Sequence, residues 1–313
     1  MVKATLLGNA GSKPTLGRAL AACALQINGK VVLIDCGEGT QVSLLKTGVN
    51  CYDVSVICLT HMHGDHTLGL PGLLASIDQL VKCDSVDRGR KDVVIVAPAS
   101  CKPVVEAVRS MVSLSRLSLH CVWLYDETES LEFEDFYVKA YKVRHSVDCY
   151  GYCVVEKDLP HFSSEKAGMC RLESGSWGFL QKGYVVISDR ELYTVNDITD
   201  GKVSPVKIAY VTDTLPCPAI QECIKDADLA ILEGMYVCAA DRPKHIVTEH
   251  LTFIDAAKAA RNAGVKRLWL THFSQTLSRP KDGLRKIRNI FNKAVCGYQG
   301  LSLELMAVKD KAV

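Results

Sequence analysis

The chain of 313 residues has no apolar run that approaches the roughly 20 residues a membrane-spanning helix needs. It has almost no charge imbalance either. Lys and Arg number 37 against 35 Asp and Glu, for a formal net charge of +2. No global field therefore draws it to nucleic acid or to an anionic membrane, and any polyanion must be met by local patches. No internal repeat, clean linker or C-x-x-C pair is found. The 14 cysteines are scattered, and Cys58, Cys121 and Cys153 sit inside apolar strands. They read as reduced, mostly buried thiols of a cytoplasmic protein, since a chain this long needs no disulfide framework. Met1 to Gly8 reads as a strand rather than as a signal peptide. What remains, at 48% hydrophobic and 23% charged, is an ordinary globular composition.

The elements follow a simple order. Lys3 to Leu7 predicts a first strand, and Asn28-Gly29 between Ala22–Ile27 and Val31–Ile34 predicts a tight hairpin. Gln41 to Lys46 predicts a short helix, Val54 to Leu59 a buried strand, and Pro71 opens a helix that runs to about Val81. Strands are expected at Val93–Ala97, Leu117–Leu124, Phe133–Val143, Tyr150–Val155, Tyr184–Ile187, Val206–Val211, Leu229–Leu232 and Val265–Leu270. Thr252 caps a helix that stops at Gly264. Hairpins come first, then strands alternating with helices. The pattern predicts two sheets packed face to face with helices outside, an αββα sandwich in one domain spanning 1–313. Lys157 to Gly183 lacks periodicity and reads as an inserted arm.

One stretch stands apart. Thr60-His61-Met62-His63-Gly64-Asp65-His66 places three imidazoles and a carboxylate directly after a buried strand. Alternating side chains let His61 and His63 point together. A turn at Gly64 brings Asp65 and His66 to a second position. Imidazole and carboxylate suit zinc and similar divalent ions. Three further candidates each follow a strand: His145 after Tyr141-Lys-Val-Arg, Asp213 after Ile208-Ala-Tyr-Val, and His272 after Leu268-Trp-Leu. Taken singly, each is a capping or turn residue; taken together, they complete a ligand set. One ion would use His61, His63 and His145, and the other Asp65, His66 and His272. Asp213 would bridge them at roughly 3.5–4 Å, a separation that suits phosphodiester hydrolysis.

These segments, together with Leu6 to Thr15, Ile34-Asp-Cys-Gly-Glu-Gly-Thr-Gln41, the run to Gly69-Leu-Pro-Gly-Leu-Leu74, Glu233, His250-Leu-Thr252 and Leu270-Thr-His-Phe-Ser274, make the chain resemble the ribonuclease Z branch of the metallo-β-lactamase superfamily. The resemblance covers most of the chain. It implies the same seven metal ligands, Asp65 also as proton acceptor, and His250 as the acid that protonates the leaving oxygen. His245 lies five residues away, while His120 and His161 have no motif around them.

It further implies a zinc-dependent endoribonuclease with two Zn2+ per chain, Mn2+ or Mg2+ being alternatives. Such an enzyme trims 3′ trailers from precursor tRNA, leaving a tRNA 3′-hydroxyl and a trailer 5′-phosphate, and works as a homodimer whose partner arm grips the tRNA. Two departures from the pattern are visible: Thr212 replaces the usual glycine before Asp213, and the arm lacks a glycine-proline-rich tip. Lys157, Lys166, Arg171, Lys182, Arg88, Arg90 and Lys91 could meet phosphates or simply be solvated. The alternatives are a hydrolase of small phosphodiesters or other esters on the same site, and a non-catalytic metal- or RNA-binding module.

Overall fold

The computed structural model describes the chain except for residues 84–88, 158–160, 182–183, 201–202, 242–248, 307 and 310–313. His245, Arg88 and Lys182 fall outside the described residues. Two compact units emerge, one formed by Met1–Val155 with Lys207–Leu305 and the other by Glu156–Val206 with Met306–Val313.

The larger unit holds two seven-stranded sheets. The first contains β1 (Val2–Gly8), β2 (Ala22–Ile27), β3 (Lys30–Ile34), β4 (Val54–Cys58), β5 (Lys91–Pro98) and β6 (Leu117–Leu124) in chain order. The second contains β7 (Thr128–Glu132), β8 (Phe136–Val143), β9 (Cys149–Glu156), β10 (Lys207–Val211), β11 (Leu229–Glu233), β12 (Leu268–Thr271) and β13 (Ala294–Cys296), in the order β13-β12-β11-β10-β9-β8-β7. A last strand, β14 (Ser302–Leu305), closes the first sheet beside β1. Strands β3 to β6 are mutually parallel, as are β10 to β13. The β2–β3 turn forms at Asn28-Gly29, with φ of 47° and 77°, as the sequence predicts.

Each sheet buries one face under helices. Val31 and Leu33 of β3 pack with Leu44 of α1 (Thr40–Thr47), and after the four-residue turn α2 (Gly64–Thr67) come Leu73 and Ile77 of α3 (Leu70–Cys83) and Val105 of α4 (Lys102–Met111). On the second sheet, Ala230 and Leu232 meet Phe253 and Ala256, which belong to the helix Phe253–Asn262. Thr252 and Asp255 form a reciprocal capping box at the start of that helix, and Gly264 at φ 69° follows its end. The two sheets meet across the middle, where the Tyr152 hydroxyl on β9 donates to Leu59 C=O just past β4 at 2.6 Å. This is the αββα sandwich expected from the element order.

Gly69 fixes how closely the histidine loop lies against the Cys36-Gly37 segment. Its N–H donates to Cys36 C=O at 2.8 Å, and a Cβ there would lie 2.1 Å from Gly37 O. Gly69→Ala is therefore expected to cost about 1–3 kcal/mol. A thermal unfolding midpoint equal to wild type would contradict this.

The smaller unit has its own core of Ala167, Leu180, Tyr193 and Ile198, with Phe162 and Trp177 against it. This unit takes in the expected arm 157–183 and extends over Glu156–Val206. The strand expected at Tyr184–Ile187 begins at Val186 and runs to Ser188, pairing with Glu191–Tyr193 in a local hairpin. Among the described residues, no helix is long and apolar enough to cross a membrane.

Candidate metal centre

Parallel strands end on one edge of each sheet, and both edges carry polar residues. In the first sheet, β3 ends at Asp35 and β4 leads into Thr60-His61, with Asp35 N–H bonded to Cys58 C=O at 2.8 Å. In the second, β10 leads to Asp213, β11 ends in Glu233 and β12 delivers His272. Rigid strand ends hold ligands with little freedom. Asp35, Asp213 and His272 all have positive φ, at 60°, 55° and 55°. Such backbone costs energy and clusters where geometry serves a site.

The turn expected at Gly64 is helical: Gly64 opens Gly64–Thr67, which carries Asp65 and His66 and leaves the His66 ring centroid 4.3 Å from that of His61.

The seven predicted ligands converge. His61, His63 and His145 form one group, and Asp65, His66 and His272 another, with ligand atoms within 4.8 Å of one another in each. His61 Nε2 lies 2.9 Å from His63 Nδ1, and His66 Nε2 lies 3.2 Å from His272 Nε2. Asp213 Oδ2 stands 3.2 Å from His66 Nε2 and 3.3 Å from His272 Nε2, and Asp213 also groups with His61. It occupies the place between the two groups. Asp65 Oδ2 is 3.5 Å from both His66 and His272 and accepts the Ser12 N–H at 2.7 Å.

The donor set fits divalent ions. Both ring nitrogens of His145 and Oδ2 of Asp213 are buried without a hydrogen-bond partner. Such orphaned atoms are costly unless something binds them. Burial holds His61 and His145 well toward the neutral form, the state a ligand imidazole must have. Burial also pushes Asp213 up, but His272 and His66 more than reverse this and keep it anionic. His272 behaves in mirror image, its loss to burial outweighed by Asp213, Asp65 and Glu233, which raise it to about 10. Asp35, Asp213 and Glu233 are all buried, with Asp65 beside them, and a divalent cation bound among these carboxylates would offset their charge.

Two carboxylates that the sequence reading left without a role now have one. Asp35 Oδ2 takes the His66 Nδ1 side at 2.7 Å, while its Oδ1 accepts from Thr60 N–H at 2.9 Å. Glu233 Oε1 accepts from Thr214 and Leu251 N–H at 2.8 and 3.0 Å, and its Oε2 lies 2.9 Å from His250 Nδ1. Both carboxylates terminate apolar strands, the same signal that marked Asp213 and His272. Burial lowers the pKa of His250, but Glu233 raises it further, so the imidazole is poised to hold a proton. Asp213, Glu233, His250 and His272 also bring one ligand atom each within 4.8 Å of one another. Glu233 has its oxygens engaged by two N–H groups and His250, which favours a Glu–His pair there. His120 is exposed and pairs with Asp92 at 2.8 Å, far from this chemistry in character.

The similarities of the whole chain agree with this geometry. A ribonuclease Z of Agathobacter rectalis is 36% identical over 310 residues, covering 99% of this chain and all of that protein. A ribonuclease Z of Clostridioides difficile is 34% identical over 309 residues, covering 97% and 99%. The chain belongs to the ribonuclease Z family. A family profile described as Anti-Pycsar protein Apyc1 matches residues 5–93, a span that takes in the histidine loop. Among solved structures, the short form of human tRNase Z superposes with a TM-score of 0.66 at 23% identity, covering 96% of this chain and 98% of that one. YhfI of Bacillus subtilis, a metallo-β-lactamase fold protein, gives 0.66 at 17%, with 96% and 98% covered. These two establish the metallo-β-lactamase fold that the ribonuclease Z family shares.

Proposed function

We propose that the chain is a metal-dependent endoribonuclease that removes 3′ trailers from precursor tRNA, leaving a 3′-hydroxyl on the tRNA and a 5′-phosphate on the trailer. The observation that carries the chemistry is the convergence of two ligand groups on Asp213. The substrate follows from full-length relatives named ribonuclease Z.

His61, His63 and His145 would hold one ion and Asp65, His66 and His272 the other, with Asp213 between them. Two zinc ions there, or Mn2+ or Mg2+, would supply Lewis acidity to the phosphate and lower the pKa of the attacking water. Asp65, 3.5 Å from both His66 and His272, would accept that water's proton. His250, kept protonated by Glu233, would give its proton to the ribose 3′ oxygen as the P–O bond breaks. The phosphate stays with the trailer.

Precursor tRNA is one partner in this reading and a second copy of the chain is the other, as the family resemblance implies. All 14 cysteines are free, which supports a reducing, cytoplasmic setting.

The test is direct. A precursor tRNA with a 3′ extension should be cut once, and the trailer should carry a 5′-phosphate. Chelation should abolish the cut and zinc should restore it. Intact precursor beside rapid hydrolysis of bis(p-nitrophenyl) phosphate would instead support the second reading, a hydrolase of small phosphodiesters. One observation favours that reading: Lys166 of the insertion spends its ammonium on Thr199 C=O at 2.7 Å rather than presenting it to a phosphate.

A further inference from the structure

Ligand imidazoles need a second anchor. A histidine that binds a metal through one nitrogen almost always hands its other N–H to a carboxylate, carbonyl or hydroxyl, which fixes the ring and raises its basicity. Two of the ligand histidines show such an anchor: His66 Nδ1 has Asp35 at 2.7 Å and His61 Nδ1 has Thr60 Oγ1 at 3.0 Å. His272 Nδ1 stands 3.4 Å from Glu233 Oε2 without a hydrogen bond.

In His145 both nitrogens lack a partner: its side chain is almost fully buried, yet neither ring nitrogen has a hydrogen bond. Beside it stands Glu249, whose Oε2 is also buried and also lacks a hydrogen-bond partner. The two orphans are 3.6 Å apart, Oε2 to Nδ1, just beyond hydrogen-bond length. Two buried polar atoms, one a donor in the right tautomer and one an acceptor, are each other's available solution.

We propose that Glu249 is the positioning residue for His145, closing on Nδ1–H so that Nε2 is presented to the ion shared with His61 and His63. This rests on the metal-centre reading above. It adds a residue that stands directly before the proposed acid His250, so one short segment serves both an ion and the leaving oxygen. Glu249 and His250 thus engage different partners from adjacent positions: the His145 ring for the first, the Glu233 carboxylate for the second.

The experiment measures metal affinity, not turnover. Zinc would be withdrawn from wild type, Glu249→Gln and Glu249→Ala by a chromophoric chelator, with zinc content counted per chain. In Glu249→Ala one of the two ions should be lost about 10–100-fold more readily while the other is held as in wild type. Glu249→Gln, which keeps an acceptor but not the charge, should fall between. The metal-free proteins should melt together. If Glu249→Ala holds both ions as wild type does, the proposal is wrong. If metal-free Glu249→Ala melts well below wild type, Glu249 is a packing residue and the proposal is again wrong. A wild type with fewer than two ions per chain would instead overturn the metal-centre reading, and the role of Glu249 with it.

Discussion

Asp213→Asn is expected to reduce cleavage of precursor tRNA by at least 10²–10³-fold, on the order of losing one preorganised charge-stabilising group. Metal content should fall below two ions per chain. Asparagine is the right replacement, because Asp213 has φ 55° and Asn is among the few residues that adopt this backbone without large strain. The change keeps the shape and removes the charge. Oδ2 lies 3.2 and 3.3 Å from His66 and His272 and has no hydrogen-bond partner of its own, so the fold should lose little. What should go is the anion between the two ligand groups. Activity assays paired with zinc quantification would check this. Two ions at wild-type rate would remove Asp213 from the centre.

The fold and the ligand set were legible for different reasons. The histidine loop is contiguous, so local spacing alone exposes it. His145, Asp213 and His272 are distant in sequence, but each ends an apolar strand, and that shared position identifies them. Outer partners carry no such mark. Asp35 and Glu233 also end strands, yet an isolated carboxylate there reads as a turn residue until the partner imidazole is seen at 2.7 or 2.9 Å. Glu249 carries no such mark in the sequence and gains meaning only from the buried ring beside it.

The far end of the insertion is less legible for a related reason. Tyr184-Val-Val-Ile187 has strand composition, but strand composition does not name a pairing partner. Ile187 is 73% exposed in a local hairpin, and Tyr184 and Val185 just before it are 62% and 55% exposed. Thr128–Glu132, an edge strand beside β8, gives little apolar signal because three of its five residues are exposed.

His250→Ala should slow precursor tRNA cleavage by about 10²–10⁴-fold, the usual worth of a positioned acid. It should barely affect bis(p-nitrophenyl) phosphate, because nitrophenolate leaves without a proton while a ribose 3′ oxygen does not. That contrast separates an acid from a ligand. His250 lies within the metal-competent group of Asp213, Glu233 and His272, and a ligand's loss would slow both substrates alike. Glu233→Gln should act through His250. Burial alone would lower the His250 pKa, and Glu233 is what raises it. Without that charge the imidazole loses its proton at lower pH. Since the protonated form does the work, the alkaline limb of the tRNA rate profile should move to lower pH in Glu233→Gln. It should disappear in His250→Ala. A profile unmoved by Glu233→Gln would mean that another group supplies the proton.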